Sequence, residues 1–162
     1  MITMLELTFP GASALPPERP PDGQTRRLLL AGTTGAAPRG RAFAREALAD
    51  WQWPLGGGSE QRAVVEDVLL LVSELVTNAN LHAGGAIALA LRRTADRLRI
   101  EVVDASPVSP APRPRPWNAA SGPGGHGLHI VACLAAAWGS EPCPPGKVVW
   151  AEVAALRGDM TA

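Results

Sequence analysis

An apolar run with the periodicity of a helix, residues 64–83, constrains the fold of this sequence more than any other stretch. At about 100° per residue, its apolar side chains fall in one stripe roughly 100° wide. The stripe consists of Val64, Val68, Leu71, Val72, Leu75 and Ala79. On the same helical wheel His82 lies inside the stripe, Asn78 at its edge and Glu74 just beyond it. A buried polar side chain costs about 1–3 kcal/mol unless it has a partner, so this face is predicted to meet a polar group.

The stretches around this helix predict a second helix and a short strand before it. Residues 27–31 form a short apolar run typical of a strand, and residues 42–48 are predicted to be helical. Ser59 is the predicted N-cap of the long helix, and Gly84-Gly85 is predicted to end it.

The second half of the sequence predicts a mainly antiparallel sheet. An apolar helix is expected over residues 128–135, and residues 94–97 are expected to form a hairpin turn. The predicted strands are 86–91, 98–103, 138–142 and 148–153. Helices interleaved with such strands predict an α+β fold, a two-layer α/β sandwich with the helices on one face of the sheet.

Proline-rich segments divide the chain. Residues 1–24 are predicted to be a flexible lead-in, although weak alternation over residues 4–9 is also compatible with an edge strand. Residues 106–124 contain six prolines, and so long a loop is either an active-site lid or a tolerated surface insertion. We therefore expect one folded domain over residues 25–156 and a short tail over residues 157–162.

Composition favours a soluble cytoplasmic protein. The 15 basic residues balance the 15 acidic ones, so no charge pattern for nucleic acid or an anionic membrane is visible. No apolar run reaches the roughly 18 residues of a membrane span, and the N-terminus lacks a signal-peptide pattern. Cys133 and Cys143 lack metal-ligand spacing and are predicted to be reduced, partly buried thiols.

Four features of the sequence suit nucleotide chemistry, although each also has an ordinary structural explanation. Glu74 and Asn78 lie one helical turn apart, and an amide oxygen suits Mg²⁺ while a carboxylate can act as a general base. Asp104 ends a predicted strand, where a carboxylate either accepts a hydrogen bond from an amine or starts a turn. The glycines of residues 125–127 precede a helix and resemble a phosphate cradle. His82 taken alone is more typical of a core histidine with hydrogen-bond partners than of a ligand.

The order of these features resembles the GHKL (Bergerat-fold) superfamily, which includes gyrase, histidine kinases and MutL. Within it the sequence is most similar to the bacterial anti-sigma-factor serine kinases and their stand-alone ATP-binding relatives. The resemblance spans approximately residues 27–156. It rests on the N box at 74–83, the first glycine-box position at 102–107, the second glycine box at 125–131 and the closing strands at 138–139 and 146–152.

This resemblance implies an ATP-binding domain over residues 25–156, with ATP and Mg²⁺ as cofactors. It implies that Asn78 is the Mg²⁺ ligand, that Glu74 activates an attacking hydroxyl and that Asp104 accepts the adenine amine. Residues 106–124 would form the lid. The other implied nucleotide contacts are His82, Ser106, Gly125, His126, Gly127 and Leu128.

The same resemblance implies a Mg-ATP-dependent serine/threonine kinase that phosphorylates a serine on an anti-anti-sigma (STAS-type) protein, sequesters a sigma factor, or does both. Two departures favour an alternative, a nucleotide-dependent protein-binding switch without significant kinase activity. His126 replaces a frequent arginine, and Val148 replaces a threonine that often helps to bind the adenine side. A third interpretation is a protein-interaction surface that no longer binds nucleotide. A homodimer is a further expectation from the resemblance.

Overall fold

The computed structural model describes residues 23–109 and 127–155. Within these ranges three helices and five strands follow one another in the order β-α-α-β-β-α-β-β, the arrangement of an α+β protein. The elements are β1 (Gln24–Leu29), α1 (Ala36–Trp51), α2 (Gly58–His82), β2 (Ala86–Arg93), β3 (Arg97–Asp104), α3 (Gly127–Leu134), β4 (Ala137–Cys143) and β5 (Gly146–Ala154). The predicted fold class is confirmed.

The strands form one sheet in the order β1-β2-β3-β5-β4, and every neighbouring pair is antiparallel. Side chains alternate between the two faces of a strand, so one face of β3 presents Leu98, Ile100 and Val102 to the core. All three helices form the other layer. Helix α2 lies at the centre of that layer, in contact with α1, α3 and the three middle strands.

The opposite face of the sheet is polar and internally paired. The guanidinium of Arg99 lies 4.1 Å from the centroid of the Trp150 ring, and its nitrogens donate to Glu101 at 2.9 Å and to Glu152 at 3.3 Å. The Trp150 ring in turn lies against Gly139, where a Cβ atom would come within 3.1 Å of it. Stacking and ion pairing therefore satisfy much of the polar potential of this face.

The apolar stripe predicted for the long helix is buried over most of its length. Val64 is only partly buried, whereas the other five members of the stripe are fully buried: Val68, Leu71, Val72, Leu75 and Ala79. The prediction that His82 belongs to this stripe is wrong, because His82 is exposed. The helical wheel gives the direction of a side chain but not the extent of the core. His82 is the last residue of α2 and lies beyond Ala79, the last buried position of the stripe.

The start of α2 also differs from the prediction. The helix begins at Gly58, its N-cap is Gly57, and no side chain caps it, so Ser59 lies inside the first turn. Gly56 and Gly58 adopt φ values of 121° and 85°, which glycine reaches without the steric cost of a Cβ atom. Because the chain turns at these glycines, the helix begins one residue before Ser59, and Ser59 is not its N-cap. The predicted helix end is confirmed, since the amides of Ala83 and Gly85 both donate to the Ala79 carbonyl.

The turn between β2 and β3 holds the carboxylate of Asp96. The Thr94 hydroxyl donates to Asp96 Oδ1 at 2.8 Å, and this hydrogen bond is the largest cause that lowers the pKa of Asp96 below its ordinary 3.8. A hydrogen bond from a backbone amide and the charge of Arg97 lower it further. Because the pKa is depressed in the folded state, this carboxylate stabilises the fold above pH 3.8, and the contribution is lost as the pH falls through the folded pKa.

We expect Thr94→Val to raise the pKa of Asp96 towards 3.8. The fold of this variant should then lose less stability when Asp96 is protonated at low pH. An NMR titration of the Asp96 carboxyl carbon measures the change directly. Thr33→Val is a matched control, because the Thr33 hydroxyl donates to the Leu30 carbonyl, away from this turn. An Asp96 titration that is identical in the wild type and in Thr94→Val would contradict the assignment.

Candidate functional site

Helix α2 presents Glu74 and Asn78 one turn apart, and both side chains are partly buried. The helix pitch causes this arrangement, since residues four apart lie on the same side of a helix. Neither side chain hydrogen-bonds to another residue within the described part of the chain. Both side chains can therefore hydrogen-bond to a group outside residues 23–109 and 127–155, such as a ligand.

The carboxylate of Glu74 lies against the first residue of α3. A Cβ atom added to Gly127 would come within 3.0 Å of Glu74 Oε2. Glycine at this position therefore allows the start of α3 to approach the acidic side chain of α2. The free amides and the dipole of a helix N-terminus attract negative charge, so the fold brings the Glu74 carboxylate to an anion-favouring helix end.

Helix α1 fixes the segment of α2 next to Glu74. Arg41 Nη1 donates to Ser73 Oγ at 2.8 Å, directly before Glu74 in the chain. The neighbouring Gly40 is buried, and a Cβ atom there would come within 3.1 Å of Val72 Cγ1. The two helices thus pack closely at the level of the candidate site, and Arg41 is a positioning residue of that site.

The carboxylate of Asp104 is buried at the end of β3, with 1% of the residue exposed. Its Oδ1 atom accepts two hydrogen bonds at 2.9 Å, one from Lys147 Nζ and one from the backbone amide of Ser106. Its Oδ2 atom is buried and has no hydrogen-bond partner among residues 23–109 and 127–155. A buried acceptor that accepts nothing is costly, so a donor from outside the described residues fits this oxygen.

Lys147 completes a small closed network around Asp104. Its ammonium donates to Asp104 and, at 3.1 Å, to the Ser106 carbonyl, while its side chain is only 5% exposed. The network follows from the sheet register, because Asp104 on β3 lies directly opposite Lys147 on β5. Ser106 therefore takes part mainly through its backbone, and its hydroxyl accepts a hydrogen bond from the Val108 amide.

Gly146 allows β5 to begin next to the end of β3. A Cβ atom at this position would overlap the Asp104 carbonyl oxygen and lie 2.7 Å from Ala105 Cα. Both obstacles are backbone atoms, one in the last residue of β3 and one in the residue after it, and they cannot rotate away as a side chain would. Glycine is therefore required for the approach that brings Lys147 to Asp104.

Val148 lies on the other face of the sheet from this network. It pairs with Val103, one residue before Asp104, and the alternation along β5 directs it away from the helices. The adjacent residue that reaches the carboxylate is Lys147. The replacement of a threonine by Val148 thus leaves the polar network of Asp104 intact.

The remaining predicted site residues differ in burial, and some of them lie outside the described ranges. Ser106, Gly127 and Leu128 are partly buried, with Gly127 at the junction of α2 and α3, whereas His82 is exposed at the end of α2. Gly125 and His126 lie outside the described residues, as does most of the predicted lid over residues 106–124.

Sequence reasoning missed Lys147, Gly146 and Arg41. Strand alternation could have found Lys147, because it shares the buried face of β5 with Val149 and Ala151 and is the only lysine in the sequence. A single charged residue on a buried face requires a partner. No sequence signal marks Arg41, since its contact with Ser73 depends on how two helices pack.

Neither Cys133 nor Cys143 forms a disulfide within the described ranges, and the prediction that both are partly buried is wrong for Cys133, which is exposed on the short helix α3. Residues 23–109 and 127–155 contain no group of three or more histidine, cysteine or acidic residues that could hold a metal ion. None of the helices in these ranges is long and apolar enough to cross a membrane.

An acid and an amide on the central helix, together with a buried acidic strand end in an α+β sandwich, form the framework of a nucleotide-binding domain of the GHKL class. The chain belongs to the family described as the histidine kinase-like ATPase domain, which matches residues 34–152. This match confirms the superfamily predicted from the sequence and identifies an ATP-binding, kinase-like ATPase domain. No curated protein sequence matches the chain significantly.

Proposed function

We propose that this protein binds Mg-ATP and transfers its terminal phosphoryl group to a serine of an anti-anti-sigma (STAS-type) protein, with or without sequestration of a sigma factor. The observation that carries the nucleotide part is the buried Oδ2 atom of Asp104, which accepts no hydrogen bond from the part of the chain that the structure describes. Its sister oxygen is fixed by Lys147 and Ser106, so Oδ2 is an oriented acceptor that suits the exocyclic amine of adenine.

The proposed roles of the other residues follow from their positions. Asn78 would hold Mg²⁺ through its amide oxygen, and such a single ligand is adequate because Mg²⁺ commonly keeps waters and binds substrate phosphates. Held by Asn78, the cation would supply positive charge that offsets the phosphate charge during transfer. Gly127 and Leu128 open α3, whose N-terminal amides would face the phosphates, together with Gly125 and His126. His82 and Ser106 would lie at the margins of the nucleotide.

Glu74 would take the proton from the attacking serine hydroxyl. Its carboxylate makes no hydrogen bond within the described ranges, so it is not committed to another partner. Arg41 would keep this part of α2 in place through Ser73. Catalysis of this kind depends mainly on positioning and charge neutralisation, with the base adding about 10²–10⁴-fold.

A second candidate function uses the same pocket as a switch. Glu74 lies against Gly127 at the start of α3, where a carboxylate stabilises the helix N-terminus without any proton transfer. In that case ATP or ADP would control binding of a sigma factor or STAS-type partner, and no phosphoryl transfer would take place. The proposed domain division, with the ATP-binding unit at residues 25–156, and a homodimer are compatible with either function.

We expect Glu74→Gln to keep ATP binding and to lower phosphoryl transfer by about 10²–10⁴-fold, because the amide cannot accept the proton. Binding is measured as the rise in melting temperature with Mg-ATP, which follows from linkage. Transfer is measured with γ-labelled ATP and purified STAS-type proteins as acceptors. Glu66→Gln is the matched control, since Glu66 is exposed two turns earlier on the same helix.

The outcomes separate the candidates. Transfer by the wild type that survives Glu74→Gln would remove Glu74 as the base. Binding without transfer by the wild type would favour the switch. A wild type whose melting temperature is unchanged by ATP, with and without Mg²⁺, would contradict both functions and favour a protein-interaction surface without nucleotide.

A further inference from the structure

We propose that a cleft between the end of α1 and the start of α2 is a second binding site, which takes a small organic acid with an apolar body. Glu74, Asn78 and Asp104 do not line this cleft, so it is separate from the proposed nucleotide site. Binding of such an acid would be a property of this protein in addition to nucleotide binding, and it can be measured without a nucleotide.

The cleft has the size and the apolar lining of a small-molecule site. Its volume is about 630 Å³, and sites for small ligands commonly have volumes of about 300–1,000 Å³. Leu48 and Ala49 of α1 line it together with Val65 of α2 and Leu55 of the connecting loop. Leu55 is 64% exposed, so an apolar ligand in the cleft would remove apolar surface from water.

The loop that closes the cleft is fastened to both helices. The side-chain amide of Gln61 on α2 donates to the Pro54 carbonyl at 2.8 Å. At the other end of the loop, the backbone amide of Trp53 donates to the Leu48 carbonyl of α1 at 3.0 Å. The cleft is therefore formed before a ligand arrives, which reduces the entropy that is lost on binding.

Trp53 supplies an unused hydrogen-bond donor to this cleft. Trp53 lines the cleft, is only 1% exposed, and its indole Nε1 is buried without a hydrogen-bond partner among residues 23–109 and 127–155. The N–H group of a buried tryptophan usually has a partner, and an unpaired one is costly. Because the indole N–H can only donate, the matching ligand group must be an acceptor, such as an oxygen.

Arg45 supplies the charge. It lies on α1 one turn before Ala49, is exposed, and forms no hydrogen bond or ion pair within the described part of the chain. Among the described residues that line the cleft, Arg45 alone is charged. A guanidinium matches the geometry of a carboxylate, and one cation balances its single charge, whereas a phosphate monoester carries about −1.5 to −2. The cleft therefore favours a carboxylic acid.

The test compares octanoate with octanol, which have similar aliphatic chains and differ in charge. Dissociation constants are measured by calorimetry on the full-length protein at neutral pH, where octanoate is ionised. In parallel, the ¹⁵N-labelled protein is titrated with octanoate. The indole N–H resonance of Trp53, identified by its absence in Trp53→Phe, should shift with a saturable dependence on octanoate.

We expect the wild type to bind octanoate about three- to fivefold more tightly than octanol, the scale of a solvent-exposed ion pair. Arg45→Gln should abolish this difference by weakening octanoate alone. Arg39→Gln is the matched control, because Arg39 is exposed on the same helix but does not line the cleft. Trp53→Phe should weaken both ligands by roughly fivefold, since both carry an acceptor oxygen.

A variant that fills the cleft tests the location. Ala49→Leu adds a larger side chain at an exposed position of the lining and should abolish octanoate binding and the shift of the Trp53 resonance. Ala42→Leu makes the same change at an exposed position of α1 outside the lining, and it should bind like the wild type. Both changes lie on the surface, so the test does not depend on whether Trp53→Phe folds.

Three results would overturn the proposal. The wild type might show no saturable octanoate binding, or Ala49→Leu might bind octanoate as the wild type does. Equal affinities of the wild type for octanoate and octanol would show that the cleft does not select acids. None of these results affects the nucleotide site, because the rise in melting temperature with Mg-ATP is measured separately.

Discussion

Replacing Gly146 with alanine should destabilise the domain by about 3 kcal/mol or more and abolish ATP binding. The added Cβ atom would overlap the Asp104 carbonyl oxygen and crowd Ala105 Cα. Strand β3 cannot move away cheaply, because it is paired on both sides, with β2 and β5. Any shift that relieves the clash also separates Lys147 from Asp104. Urea unfolding followed by tryptophan fluorescence measures the loss as a lower midpoint.

Gly57→Ala is the matched control for this substitution. A Cβ atom at Gly57 would meet nothing within 4 Å, and its φ of −157° is extended backbone that any residue adopts. We expect its free energy of unfolding to change by less than about 1 kcal/mol, the usual scale of a helix-cap substitution. If Gly146→Ala were as stable as Gly57→Ala, the close approach of the two strands would be incorrect.

Replacing Asn78 with alanine should remove the dependence of ATP binding on Mg²⁺. Loss of groups that only support a metal ligand typically costs 10–100-fold in affinity, so loss of a ligand itself should weaken Mg-ATP binding by about 100-fold or more. Binding of ATP without Mg²⁺ should change little, because Asp104 and the start of α3 are unaffected. Calorimetric titration with ATP, with Mg²⁺ and with EDTA, measures both affinities.

Asn80→Ala provides a chemically identical change two residues away. Asn80 Oδ1 accepts the Ala86 amide at 3.1 Å, so this variant should lose about 1 kcal/mol of stability and keep its Mg²⁺ dependence. The role assigned to Asn78 is refuted if Asn78→Ala still responds to Mg²⁺ like the wild type.

Much of the fold could be predicted because its signals are local. The alternation that predicts strands at 98–103 and 148–153 agrees with β3 and β5, and the stripe from Val68 to Ala79 agrees with the buried side of α2. Ser59 failed as an N-cap because the preceding glycines had already turned the chain. His82 failed as a core residue because periodicity does not show where the core ends.

The candidate site was predictable only in part, for a related reason. Spacing along one helix is enough to bring Glu74 and Asn78 together. The contact between Asp104 and Lys147 joins positions 43 apart in the chain and depends on the register of two strands. Similarly, the approach of Gly127 to Glu74 depends on how α3 packs on α2. Tertiary contacts of this kind produce no local sequence pattern, and their only sign in the sequence is an isolated charged residue or glycine.

Helix α2 contributes side chains both to the hydrophobic core and to the proposed active site. Leu75 is fully buried between Glu74 and Val76, only three positions from Asn78. Repacking the interior at Leu75 would therefore rotate or translate both polar groups. In a random mutagenesis screen, most substitutions on this helix that lower the melting temperature should also lower activity. Substitutions on the polar face of the sheet should more often change the melting temperature without changing activity.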